Sequence, residues 1–168
     1  IAEEANINLA LLNYYFRSKE KLFTIIMHET LSGFVQKVTA ILNDEKTSLQ
    51  SKVELMSSTY IDLLLVEPEV PFFILTEIRN NPTILIEKLP VKQILHHTAF
   101  FKQHQQAVTE GKIKEPNPLH FLMNLVGLIV FPFVAGPMMK KIGNLKEAEF
   151  NQLMQERKKL VPVWIKAI

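Results

Sequence analysis

Side chains that commonly perform chemistry in proteins form few recognisable combinations in this chain of 168 residues. The chain contains no cysteine, so it has no disulfide, no thiolate metal site and no cysteine nucleophile. His97 and His104 are seven residues apart, about two helical turns, and no carboxylate completes a metal-binding spacing around them. The sequence has neither a glycine-rich phosphate loop nor a His-Glu-x-x-His motif. We therefore predict that the chain is not an enzyme and uses neither a metal nor another cofactor.

The composition predicts a folded and mainly helical protein. Hydrophobic residues make up 48% of the chain, charged residues make up 21%, and glycine occurs only five times. The net charge of +2 does not by itself indicate a nucleic-acid partner, because phosphate-binding faces usually appear as concentrated basic patches. The first residues read as the middle of a helix, so we expect further residues upstream, and we see no cleavable signal peptide. We expect a cytoplasmic location.

Two long amphipathic helices are indicated in the first half of the chain, out of eight or nine helices in all. Ser18 is a suitable N-cap for the first, which we place from about Lys19 to Asn43. The second ends at Pro68. In each helix, apolar residues recur every three or four positions and form one stripe. The stripes are Phe23, Met27, Leu31, Phe34, Val38 and Ile41 in the first helix, and Leu49, Val53, Met56, Tyr60 and Leu63 in the second.

Prolines, asparagines and glycines divide the middle of the chain. They predict a short apolar helix from Pro71 to Arg79 and a long helical segment from Thr83 to Glu110. Pro90 is expected to bend the long segment, because its ring prevents a regular helical hydrogen bond. Gly111 is expected to end it, because glycine readily adopts the left-handed conformation of a helix C-cap.

The segment from Pro116 to Met139 contains no charged residue. Asn117 and Pro118 predict a helix start within it. A helix that is apolar on all sides must be buried on all sides or lie in a membrane. The last helix begins near Lys146, is expected to bend near Pro162, and carries on one face Phe150, Leu153, Arg157, Leu160 and Trp164. We predict that the uncharged helix that starts at Asn117 lies between the core of its own subunit and a partner subunit in a homodimer. The alternative is a helical membrane-associated protein that uses the segment 116–139.

The first residues follow the pattern of a helix, a tight turn, a short second helix and the start of a long helix. Ala5 allows the second helix to cross the first closely, and the apolar residues beneath it are Ile1, Ile7, Leu12 and Phe16. Asn8 is a plausible N-cap of the second helix, which then presents outward Leu9, Ala10, Asn13 and Tyr14. A helix this short, with so few charges, is unstable alone, so we expect its exposed face to have a function.

The run Tyr14-Tyr15-Phe16-Arg17-Ser18-Lys19-Glu20-Lys21-Leu22 closely resembles the TetR family of transcriptional regulators. The family pattern has an Ile-Ala start, a small residue before the turn, a recognition helix that ends in aromatic-x-Tyr-Phe, and then Ser-Lys-Glu-x-Leu. This chain departs from it twice: Asn6 replaces the usual turn glycine, and Asn13 replaces the usual tyrosine after the leucine pair. Asparagine tolerates the left-handed conformation next best after glycine, so the turn is retained.

The resemblance implies an all-α protein, with a partial helix-turn-helix in residues 1–25 and a ligand-binding and dimerisation domain in residues 26–168. It implies a regulator, most often a repressor, that leaves its double-stranded DNA operator when a small-molecule effector binds. It also implies a homodimer through the last two long helices. Toward the major groove it places Asn8, Leu9, Ala10, Asn13 and Tyr14, and toward phosphates it places Tyr15 and Lys19. Asparagine can read an adenine edge, and lysine and tyrosine can donate to phosphate, in agreement with these roles.

Aromatic, methionine and polar residues of the body are candidates for the effector pocket. Ligand sites are commonly apolar, with a few placed polar groups. The candidates are Met56, Tyr60, Phe73, Glu77, His97, Phe101, His104, Met123, Asn124 and Phe131. Each aromatic or methionine also fits an ordinary place in the core, so both interpretations stay open. A buried Glu77 or Asn124 would need a hydrogen-bonding partner, supplied by either the protein or a ligand.

Overall fold

A computed structural model of the chain describes residues 18–80, 83 and 98–166. Within these residues the chain is entirely helical, with seven helices and no strand, which confirms the predicted all-α class. The helices are α1 Lys19–Asn43, α2 Leu49–Val66, α3 Val70–Asn80, α4 Ala99–Thr109, α5 Pro118–Val134, α6 Gly136–Ile142 and α7 Glu147–Ile165. Most of the predicted helix-turn-helix lies in residues 1–17, outside the described part of the chain.

Helix α1 has the bounds that the sequence predicted. Oγ of Ser18 accepts a hydrogen bond from the backbone N–H of Lys21 at 3.1 Å, which satisfies one of the free donors at the start of the helix. One face of the helix is buried through Met27, Leu31 and Leu42. Its 25 residues extend about 37 Å at the usual helical rise. α1 is therefore one unbroken helix from its cap at Ser18 to Asn43.

Helix α2 contacts α1, α4, α5 and α7, and lies at the centre of the described bundle. Its buried residues include Val53, Met56 and Ile61, which pack into one core with residues of the surrounding helices. α7 packs along it, and an ion pair between Lys158 and Asp62 joins the two helices. The helix ends at Val66, just before Pro68, as predicted.

A fully buried lysine ties α2 to the turn before it. Nζ of Lys52 donates to the carbonyl oxygen of Thr47 at 2.8 Å, to Oγ1 of Thr47 at 2.8 Å, and to the carbonyl oxygen of Asp44. Burial lowers the pKa of Lys52 below its ordinary value, and the Asp44 carboxylate acts in the opposite direction. A lysine is tolerated in this core because each of its donors has an acceptor.

The predicted helical segment from Thr83 to Glu110 is not continuous. A new helix, α4, begins at Ala99, and Thr98 is its N-cap with an extended backbone and Oγ1 accepting from the N–H of Phe101 at 3.4 Å. The predicted bend at Pro90 lies outside the described residues. The predicted end of this helix before Gly111 is confirmed. Gly111 has φ +69°, and the N–H of Lys112 donates to the Ala107 carbonyl at 2.8 Å.

The uncharged segment forms two helices that meet at an angle. Oδ1 of Asn117 accepts from the N–H of Leu119 at 2.9 Å and Pro118 opens the helix, as predicted. α5 ends at Val134, and α6 leaves it at an angle of 61°. Pro137 stands in the first turn of α6, where the missing N–H of a proline is tolerated.

An arginine of α7 compensates for a proline inside α5. Pro132 has no N–H, so the carbonyl of Leu128, four residues earlier, loses its helical partner. Nη2 of Arg157 donates to that carbonyl, and the Arg157 guanidinium lies over the ring of Trp164 at 4.9 Å from its centroid. α7 also contains a proline, Pro162, and runs through it to Ile165.

The pairing of Arg157 with Pro132 predicts a specific coupling. Arg157→Met should lower the free energy of unfolding by about 1–2 kcal/mol, because the partly buried Leu128 carbonyl loses its donor. In a Pro132→Ala background, position 132 supplies an N–H to Leu128, so the cost of Arg157→Met should be smaller. Urea denaturation of the four proteins of this double-mutant cycle measures the difference. Equal costs in both backgrounds would show that the two residues act independently.

Candidate functional site

Of the residues that the resemblance places at DNA, only Lys19 lies in the described part of the chain. Lys19 is the first residue of α1 and is exposed. The predictions for Asn8, Leu9, Ala10, Asn13, Tyr14 and Tyr15 fall outside the described residues.

The amino-terminal end of α1 carries two exposed lysines. Lys19 and Lys21 stand in its first turn, where the helix dipole already places partial positive charge. Cations at this end of a helix are stabilised by a nearby anion, and the first turn itself contains one acidic residue, Glu20. A phosphate oxygen supplies such an anion, and both the lysines and the first backbone N–H groups can donate to it. This end of α1 is therefore suited to contact a phosphate group.

The residues predicted for the effector pocket lie in four separate places rather than one. Met56 and Tyr60 belong to the core around α2, where the Tyr60 ring packs edge-on against Phe34 with ring centroids 4.3 Å apart. Burial raises the pKa of Tyr60 to about 12. The remaining described candidates fall into a groove on α3, a groove on α4 and the outside of α5, and His97 lies outside the described residues.

Phe73 and Glu77 line an open groove between α3 and the start of α1. Its volume is about 470 Å³, and Lys19 and Phe23 form the opposite wall. The Phe73 ring packs edge-on against Phe23 and His28 at centroid distances of 6.1 and 5.4 Å. Phe23, which the sequence pattern places in the buried stripe of α1, is 43% exposed here. The groove lies at the same end of α1 as the two lysines.

Phe101 and His104 line a second groove, of about 380 Å³, beside the start of α5. The His104 side chain is fully buried between the Phe100 and Phe121 rings, at centroid distances of 6.4 and 5.2 Å. Neither ring nitrogen has a hydrogen-bonding partner within the described structure. This burial lowers the pKa of His104, and both the Glu115 carboxylate and the nearby Glu115 backbone act in the opposite direction.

The buried His104 predicts a loss of stability in acid. Its lowered pKa means that the unfolded chain binds a proton near pH 6.5 while the folded chain does not. The free energy of unfolding should therefore fall as the pH drops below about 6.5, with a limiting slope of about 1.4 kcal/mol per pH unit. His104→Phe and His104→Leu should both flatten this dependence in urea denaturation series between pH 7.5 and 5. Curves parallel to the parent chain would contradict the prediction.

Met123, Asn124 and Phe131 do not face the core but lie on the outside of α5, where Met123 is 66% exposed and Phe131 63% exposed. They follow one line along the helix with the exposed Gly127. α7 presents a comparable line of exposed apolar residues, in which Val163 is 65% exposed. We call the two lines together the outer face, which consists of Met123, Asn124, Gly127 and Phe131 of α5 and Leu153, Leu160, Val163 and Trp164 of α7.

Helices α5 and α7 pack against each other, so the two lines are neighbours. Arg157 connects them, because it contacts both the Leu128 carbonyl of α5 and the Trp164 ring of α7. A shallow depression of about 340 Å³ lies on α5 beside Gly127, because glycine has no side chain to fill it. An apolar surface of this kind on a folded chain is typical of a protein–protein interface.

Within residues 18–80, 83 and 98–166, no single helix is both long and apolar enough to cross a membrane. Only α5 and α6 taken as a pair meet the length and hydropathy requirements, and the chain bends by 61° between them.

Three structural features were not anticipated from the sequence. Lys52 and Arg157 act as buried or half-buried donors to backbone carbonyls, which periodicity does not reveal. A cleft of about 410 Å³ opens between α2, α4, α5 and α7, and none of the nine predicted pocket residues in the described part of the chain lines it. The spacing of Gln103, Gln106 and Glu110 on one side of α4 is the only sequence signal for this cleft that we recognise afterwards.

The chain was compared with protein-family models and with curated proteins, and neither comparison returned a match.

Proposed function

We propose that this chain is a DNA-binding transcriptional regulator of the TetR type that acts as a homodimer. Its amino-terminal helix-turn-helix contacts the operator, and its helical body binds a small-molecule effector that releases the DNA. The effector shifts the dimer between a head spacing that matches successive major grooves, about 34 Å apart, and one that does not. α1, which runs unbroken from Lys19 to Asn43, is the lever that carries this change.

The main support for the proposal is that the last residues of the family motif form the start of α1. In the run Ser18-Lys19-Glu20-Lys21-Leu22, Ser18 caps the helix, both lysines are exposed, and Leu22 is buried. This distribution suits a DNA-binding head, because the cap fixes the helix start, the leucine is turned away from solvent, and the lysines face solvent where a phosphate can lie.

The outer face supports the homodimer. Residues such as Met123, Phe131 and Val163 expose apolar area that is unfavourable in water, and a second copy of the chain can cover it. Because most homodimers have twofold symmetry, α5 and α7 would pack against the same helices of the partner as a four-helix bundle. This arrangement explains why α5 has no charged residue on any side.

DNA binding can be tested by selecting duplexes from a random library with the full chain. Fluorescence anisotropy then measures the affinity for selected and scrambled duplexes as a function of salt. We expect sequence-selective binding that weakens steeply with salt, as counterion release requires. The absence of selective, salt-dependent binding would overturn the proposed function.

Lys19→Gln gives a sharper prediction within the same assay. Because each subunit of the proposed dimer loses one phosphate contact, the slope of log affinity against log salt should decrease by about 1.8, and binding to all duplexes should weaken alike. Lys37→Gln is the matched control, since Lys37 is also exposed on α1 but lies away from its amino-terminal end. If both variants show the same slope as the parent chain, Lys19 does not contact phosphate.

A further inference from the structure

The cleft between α2, α4, α5 and α7 has the size and lining of a ligand site. Its volume of about 410 Å³ falls within the usual range for small-molecule pockets, about 300–1,000 Å³. The cleft is built from the start of α2, the carboxyl-terminal half of α4, the turn after Gly111 and the end of α7. It is separate from the outer face and from both grooves that hold predicted pocket residues.

The floor of the cleft is apolar. Val53, Phe121 and Ile165 are buried core residues that also line it, and Leu49 and Ile113 are half-buried beside them. The turn that follows Gly111 holds Ile113 in place, because the N–H of Ile113 donates to the Ala107 carbonyl at 3.3 Å. A ligand that fills this space buries mainly hydrocarbon, which favours an apolar molecular body.

One polar group in the cleft wall has an unused acceptor. Nε2 of Gln103 donates to the Thr47 carbonyl at 2.8 Å, which fixes the orientation of the amide. Oε1 of Gln103 is buried and has no hydrogen-bonding partner among the residues that the structure describes. An unsatisfied buried acceptor destabilises the chain, and a ligand that donates to it removes this cost.

Three charged residues line the cleft: Glu110 and Lys112 are paired with each other, and Lys166 is exposed to solvent. Glu110 accepts from Nε2 of Gln106 at 2.8 Å and forms an ion pair with Lys112 at 2.6 Å. These contacts lower the pKa of Glu110, so the carboxylate is ionised and engaged. A carboxylate head would lose solvation in the cleft and could gain only the exposed Lys166 as a counter-ion, and an exposed ion pair contributes little, whereas a neutral head avoids this cost.

We propose that this cleft binds a small, mainly apolar molecule that carries one uncharged hydrogen-bond donor, such as an alcohol or a primary amide. The hydrocarbon body lies against Val53 and Phe121, and the donor bonds to Oε1 of Gln103, which binding must first uncover because this oxygen has almost no exposed surface. This site does not depend on the proposed DNA binding, and its test uses no DNA.

The probes for the test are 1-octanol, octyl methyl ether and octanoate, measured with the full chain by saturation-transfer and chemical-shift NMR titration. The ether has the apolar body but no donor, and octanoate has a charged head. We expect saturable binding of 1-octanol that is roughly fivefold tighter than binding of the ether, the usual effect of one neutral hydrogen bond. Octanoate should bind more weakly than 1-octanol. Equal or tighter binding of octanoate would overturn the neutral-donor assignment.

Two variants locate the binding. Ala107 is half-buried in the cleft wall, so the larger side chain of Ala107→Phe should fill the cleft and weaken the binding of 1-octanol at least tenfold. Ala107→Leu is a smaller change, to be used if Ala107→Phe impairs folding. Gln103→Leu should abolish the preference for the alcohol over the ether. Gln105→Leu, an exposed neighbour outside the cleft, should retain that preference. No saturable binding, or binding that Ala107→Phe and Ala107→Leu leave unchanged, would overturn the proposal.

Discussion

Phe131→Glu should convert the proposed dimer into a monomer. Phe131 is 63% exposed on the outer face, and a glutamate there would bury an unpaired charge in the proposed dimer interface. Large aromatic residues at the centre of interfaces contribute about 2–4 kcal/mol, so the dimer dissociation constant should rise by roughly 30- to 1,000-fold. Sedimentation velocity over a series of protein concentrations measures this shift.

Val66→Glu is the matched control for this variant. Val66 is also an exposed apolar residue, but it ends α2 and is not part of the outer face. The control should sediment like the parent chain. Circular dichroism should show that both variants remain helical, so a monomeric Phe131→Glu protein reports on association and not on folding. A parent chain that is monomeric at all concentrations, or a Phe131→Glu dimer of unchanged affinity, would rule out the outer face as the dimer interface.

Lys52→Met should be among the most destabilising single changes in the chain. Methionine keeps the hydrocarbon part of the side chain but removes the donors to the Asp44 and Thr47 carbonyls and to Oγ1 of Thr47. Hydrogen bonds to a charged donor are stronger than neutral ones, and after their loss the Thr47 carbonyl keeps only its bond from Nε2 of Gln103 and the Asp44 carbonyl only its bond from Oγ1 of Thr47. We expect the free energy of unfolding to fall by about 3 kcal/mol and the melting temperature by roughly 6–12 °C.

Lys46→Met tests whether this effect is specific. Lys46 lies in the same turn and carries the same charge, but its side chain is exposed. Its replacement should change the melting temperature by little, since exposed surface substitutions usually have small effects. If both variants melt within a degree or two of the parent chain, the buried contacts of Lys52 contribute nothing net to stability. Differential scanning calorimetry at one protein concentration makes the comparison.

Helix ends were predicted well wherever the signal is local. Ser18, Asn117 and Gly111 act through hydrogen bonds or backbone conformations within a few residues, so their types are sufficient to place the ends of α1, α5 and α4. Thr98 has the same chemistry at the start of α4, but the surrounding helical periodicity concealed it. A capping residue inside a periodic segment therefore needs as much weight as a proline.

The predicted pocket residues show where sequence patterns become ambiguous. Met123 and Phe131 have the same residue types and helical spacing as buried residues such as Met56, yet they lie on the exposed outer face. Periodicity shows which residues share a helix face, but not whether that face packs against its own chain or a partner. The absence of charge on α5 was the better signal, because the exposed side of this helix is apolar as well.

By itself, the sequence determined the helical class, most helix bounds and the resemblance of the first residues to a DNA-binding head, because all of these depend on residues close together in the chain. The tertiary structure decided which helix faces are buried, that Arg157 supplies the hydrogen bond lost at Pro132, and that Gln103 joins Phe121 and Ile165 around one cleft. These features depend on residues far apart in the sequence, whose contacts are set only when the helices pack.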